Sequence, residues 1–324
     1  MAQAELLHHF VTCAGPSLAH TDQRDNPIVQ FWTENAPRIG FQNSAVLYLA
    51  LSLSGHHLAH LYNACHESRA RHHSLARHYS MVGVAELNKQ LLNINKSNCG
   101  ALYIGAVLVH FGVLAVGPTN SHDLLVCDVG GGSAGKWASL ATGARLIGTM
   151  FAPDILFSGL LQPLAPDDGC SKSENDTRPR YEYENFPSID WIDPLNRLKS
   201  FIASQDGNDA HHCSYVEAFE TLARVYEATF GNKDGLLTVH PGFKLPLSWL
   251  YFMDASFVAL LRAKDPMALL LLACFAPLLK TIKRAWFQTA WTDHLLVTIA
   301  RLLGSEYAAW LEWPISISKS MSIT

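Results

Sequence analysis

The sequence predicts an all-α protein, a single large helical bundle over residues 1–324 interrupted by one long polar loop. Two observations carry that expectation. Apolar residues recur at helical spacing through most of the chain, while sustained alternation of period two, bounded by turn residues, is nearly absent. Apolar helical stretches also lie on both sides of the one strongly polar segment, which suits an insertion into one bundle better than a linker between two domains. No repeat of 20–50 residues is present.

In chain order, helices are expected over 3–19, 27–36, 43–66, 67–94, 97–117, 134–149, 188–205, 209–230, 246–262, 265–284 and 285–312. Many are apolar on more than one face, as helices of a packed interior are. The fifth contains the longest apolar run, Ala101 to Pro118, with His110 in its middle and glycines inside it. At 18 residues it sits at the lower limit of a membrane span; it reads as a buried helix, and no membrane span is expected. Ser133 is a good N-cap for the sixth. Before the seventh comes the polar, proline-bearing segment 164–187, expected to be an exposed loop. A second weak point falls at Gln205 to Asp209. The C-terminal third holds the distinctive run Pro266 to Leu279, then Trp286, Trp291, Trp310 and Trp313.

Composition bounds the function. Hydrophobic residues make up 49% and charged residues 16%, which argues against disorder. The net charge is -4, so the chain lacks the basic surplus that neutralises phosphates, and no direct nucleic-acid binding is expected. Seven scattered cysteines form no C-x-x-C pair, which suggests neither a disulfide framework nor a cysteine zinc site and fits a reducing, intracellular, cytoplasmic setting. The N-terminus has no basic region before an apolar one and carries Glu5, His8 and His9 where a signal peptide would be apolar.

Motifs for cofactor chemistry fail in detail. Gly130, Gly135 and Lys136 fit a phosphate-binding loop, but Trp137 occupies the position of the hydroxyl that would hold magnesium. Gly131 to Gly135 matches G-x-S-x-G, which needs the strand-to-helix elbow of a parallel sheet. Seven histidines fall between His56 and His78, and His56 with His60 lie one turn apart as two ligands could. No H-E-x-x-H accompanies them, so a partly solvated helix face is the expectation and no metal is assigned. Asp167-Asp168, Asn175-Asp176 and Asp190 with Asp193 lack the companion residues of terpene-synthase motifs. No cofactor is expected.

Several motifs together resemble the regulatory domain of fungal zinc binuclear cluster transcription factors, in particular the sterol uptake control protein family. They are E-L-L-H-H-F at Glu5 to Phe10, the helix Ala45 to Ala59, K-W-A-S-L-A-T-G-A-R at Lys136 to Arg145, the run Pro266 to Lys280, A-W-F-Q-T-A-W and W-L-E-W-P. The resemblance implies an all-α domain with an internal hydrophobic cavity, often dimeric, that takes sterol in its best-known members. In those factors a cysteine-rich zinc cluster precedes the domain, whereas here Met1 stands four residues before the first matching motif.

The leading expectation is therefore a stand-alone protein whose cavity binds a lipophilic small molecule. It would serve as a cofactor-free cyclase or pericyclase on a terpenoid or polyketide-like substrate of fungal secondary metabolism, since holding a flexible apolar substrate in reactive shape supplies much of such a rate. Polar groups in apolar helical context are the catalytic candidates: His110, Asp254 and His294. Trp249, Phe252, Phe275, Trp286 and Trp291 are the candidates for shaping the substrate site. The alternative is a non-catalytic sterol- or lipid-sensing regulatory domain, placed in the nucleus if so, and a homodimer fits either reading.

Overall fold

The computed structural model describes residues 2–19, 25–62, 65–129, 136–165, 178–179, 189–204, 211–232, 236–237, 246–281, 286 and 288–321. The fold is all-α, as the helical periodicity implies. Among the described residues, strand pairing is confined to a two-residue antiparallel ladder, Arg178 with Leu237 and Pro179 with Leu236, and one bridge between Asp123 and Asp128. The chain packs as two compact units, and neither is continuous in sequence. The first takes 1–117, 139–167 and 283–287; the second takes 118–138, 168–282 and 288–324.

The first unit holds α1 (Ala2–His9), α2 (Pro27–Gln30), α3 (Ala36–Gln42), α4 (Ser44–Leu61), α5 (His66–Leu91), α6 (Cys99–Val116), most of α7 (Lys136–Met150) and α8 (Pro153–Leu156). Two of its helices depart from the expected continuity for one physical reason. A π turn at Phe10–Ala14 ends with Gly15 N–H donating to Phe10 O at 2.8 Å, and another at Phe31–Asn35 ends with Ala36 N–H donating to Phe31 O. In each case the next residue, Pro16 or Pro37, has no N–H to continue the ladder. Gly15 is required there, because a Cβ would come within 2.9 Å of both Phe10 O and Trp32 O.

The centre of this unit is α4. Its N-cap Asn43 accepts from the Ala45 and Val46 amides while its Nδ2 donates to Gln90 Oε1 at 2.7 Å, which ties the start of α4 to the end of α5. Along the α4–α5 contact the helices meet through small residues. A Cβ on Gly55 would lie 2.9 Å from Ala76 Cβ, one on Gly83 would lie 2.8 Å from Leu49 Cγ, and Ser52 Oγ donates to Ala76 O at 2.9 Å. Helix α6 alone among the described residues is long and apolar enough to cross a membrane, and half of it is buried within the chain. Gly105 faces Leu87 of α5 at 2.8 Å from its would-be Cβ, and Leu102, Ile104, Leu108 and Leu114 are buried, the signature of a core helix.

The second unit holds α9 (Ile192–Ser204), α10 (His212–Phe230), α11 (Leu247–Phe252), α12 (Ala255–Arg262), α13 (Pro266–Phe275), α14 (Gln288–Leu303) and α15 (Ala308–Ser320). Every residue of α13 from Met267 to Phe275 is buried, so this helix is the spine of the unit. Asp265 caps it, accepting from Ala268 N–H at 2.9 Å, and Pro266 supplies the preset first turn. Two stretches expected to be continuous are broken. Asp254 stops 246–262 by capping α12, and Gly304, at φ 74°, ends α14 in a conformation only glycine adopts without strain. The Ser133 cap, the glycine motifs at 130–135 and nearly all of segment 164–187 lie outside the described residues.

Candidate functional site

Three of the expected site residues come together in the second unit. Trp249, Phe252 and Asp254 line a cleft with Ser214, Glu217, Thr221 and Phe257. Trp249 is buried; its indole N–H donates to Ala218 O at 2.8 Å, and its ring stacks on Phe275 at 4.7 Å and meets Phe257 edge-on at 5.9 Å. Phe252 is 52% exposed at the rim. Asp254 spends one carboxylate oxygen on the Phe257 amide at 2.6 Å, the N-cap of α12. The cleft volume is about 20 Å³, room for about one water, far below the roughly 300 Å³ at which small-molecule sites begin.

The other candidates sit elsewhere. His294, on α14, donates from Nε2 to Asp123 O at 2.8 Å and lies edge-on to the buried Trp291. That bond holds the turn 119–129, where Asp123 also accepts from Thr119 and from the amide of Leu125, a residue at φ 69°. His110 belongs to the first unit, on α6; its Nδ1 donates to Ala106 O at 2.6 Å, and burial holds its pKa below the ordinary value although that hydrogen bond works the other way. Burial also pushes the thiols of Cys127 and Cys274 up to about 12, which leaves them protonated and unreactive.

The histidine-rich stretch resolves into separate environments. His56 is buried against His73, with ring centroids 6.0 Å apart, and its pKa falls to about 4 through burial and the neighbouring charges of His73 and Arg77. His60 is exposed, so the two histidines one turn apart do not converge. His72 is buried under Tyr62, bonding Ser68 O at 2.7 Å and Glu5 at 3.3 Å, while Arg71 reaches the same carboxylate at 3.0 Å. His57 pairs with a histidine that sequence spacing does not single out. Its Nδ1 lies 3.2 Å from Nε2 of His9 on α1, and its ring stacks on Trp286 at 5.0 Å, with His60 tilted against the same indole at 5.5 Å. Burial, with the charges of His9 and His60, lowers the His57 pKa to about 4.

The helices α1 to α7 carry a likeness to a known family. Residues 5–151 match the fungal specific transcription factor domain family. The match covers just under half of the chain and includes three of the motifs that carry the sequence resemblance, those at Glu5, Ala45 and Lys136. It contains the α4–α5–α6 core and both partners of the His9–His57 pair, and it ends before α9 to α15 of the second unit begin. No curated protein matches the chain significantly. No solved structure does so either.

Proposed function

We propose that this chain is a regulatory domain of the fungal transcription-factor type, one that holds a lipophilic, sterol-like small molecule without transforming it. The match over residues 5–151 supports the regulatory part of this reading, and the ligand rests on the sequence resemblance alone. The cyclase reading finds no comparable support. Asp254 caps a helix, His294 holds a turn, and His110 bonds its own helix backbone, so each spends hydrogen-bonding capacity on main-chain groups. Trp249, Phe275 and Trp291 are buried packing residues, and among the candidate shaping residues Phe252 stands exposed. A regulator of this type works in the nucleus or shuttles to it from the cytoplasm, and a sensed ligand would alter its contacts with partner proteins.

Mass spectrometry of lipophilic fungal extracts incubated with the purified chain, with a heat-killed control, tests the proposal. Retention of an unchanged sterol or terpenoid is the expected result. Conversion of an extract component into an isomer of equal mass would restore the cyclase reading and end this one. Retention of nothing would remove the ligand from the proposal.

A further inference from the structure

Among the described residues no three His, Cys, Asp or Glu side chains gather into a metal cage. A pair does something more specific. His9 Nε2 and His57 Nδ1, from α1 and α4, are 3.2 Å apart, with their rings inclined at 49°. Two imidazole nitrogens bound to one divalent ion at about 2.0–2.1 Å each, in adjacent positions of a tetrahedral or octahedral sphere, are separated by about 2.9–3.4 Å. The observed separation, that of a hydrogen bond between the two rings, falls within that range, so an ion would take the place of the proton they share.

We propose that His9 and His57 form a two-histidine chelate for a late first-row divalent cation, with water completing its coordination. Both rings are only partly buried, so water has access. The stack of His57 on Trp286 fixes the direction of one ligand, since the ring cannot turn without losing the indole face. Imidazole donors suit copper, nickel and zinc, and the order of stability puts Cu(II) first.

This goes beyond the regulatory reading and is independent of the lipophilic ligand. The test is calorimetric titration of the full chain with Cu(II), alongside tryptophan fluorescence, because the ion would sit beside Trp286. One saturable Cu(II) per chain is expected, with quenching that largely disappears in Trp286→Phe. His9→Ala and His57→Ala should each weaken that phase at least tenfold, while His122→Ala, an exposed histidine of the other unit, leaves it unchanged. His9→Gln and His57→Gln, which keep a hydrogen-bonding side chain, should weaken it equally while circular dichroism stays that of the parent. An unchanged titration in the folded Gln variants would overturn the site. An equal loss in His122→Ala would show adventitious histidine binding only, and would overturn it as well.

Discussion

The two units solve the same packing problem with opposite means. In the first, helices approach because side chains are missing: Gly55 against Ala76, Gly83 against Leu49, Gly105 against Leu87. In the second, rings fill the space and their polar atoms are returned to the backbone. Trp249 donates to Ala218 O, Trp191 to Gly231 O and Trp313 to Asp190 O, while the Tyr226 hydroxyl reaches Cys274 O at 2.6 Å. A core built on absent atoms resists additions, and one built on large rings resists deletions. Buried titratable groups occur in both units. The first unit carries histidines that must stay neutral, and the second carries a tyrosine and cysteines whose burial pushes ionisation upward, away from neutral pH.

That contrast is broken most sharply at Trp249. Replacing it with Ala removes a buried ring stacked on Phe275 and leaves the Ala218 carbonyl without its donor, so stability should fall by about 3–5 kcal/mol in denaturant titration. A loss below 1 kcal/mol would mean that the packed rings are not what holds the second unit. Acid should find the first unit through His56. Unfolded, that ring takes a proton near its ordinary value of 6.5; folded, it resists until about 4. The unfolded chain therefore binds more protons between those values, so stability is unaffected above pH 6.5 and declines as pH falls toward 4. The loss reaches at most about 3 kcal/mol for His56, and less for the more exposed His57. His56→Phe should flatten part of that decline in unfolding curves measured from pH 7 to pH 4.

Gly55→Val should cost about 1–3 kcal/mol, since the atoms it would meet belong to the Ala76 backbone and Cβ and cannot swing aside. A neutral result would show that the helices part without penalty and that the small-residue contact is incidental. The smallest effect is expected at Asp254. Ala there should cost about 1 kcal/mol through loss of the α12 cap, with Ser recovering most of it. A carboxylate needed for chemistry would not be rescued by Ser in any turnover assay.

The helical class was legible because burial of α4, α6 and α13 demands apolar residues on several faces, and composition alone records that. Helix ends were legible where a local group decides them. Asp265-Pro266 before an apolar run marks α13, and Asp254 before Ala255, Ser256 and Phe257 carries the same capping signal, one that an acidic residue in apolar helical context also lends to a catalytic carboxylate. The breaks at Gly304 and at the two π turns were missed because one glycine or proline in a periodic run is a weak mark against the pattern around it. The His9–His57 pair was not legible at all. Its partners are 48 residues apart, and only the packing of α1 on α4 makes them neighbours.

The interleaving of the two units has a consequence in time. Residues 283–287, which include Trp286, belong to the unit built mainly from the first 117 residues. A ribosome must therefore add all the intervening chain before that unit can receive its last piece. At about 5–20 residues per second this is a wait of roughly 10–30 s. During it, the His57 face of α4 lacks the indole that will cover it.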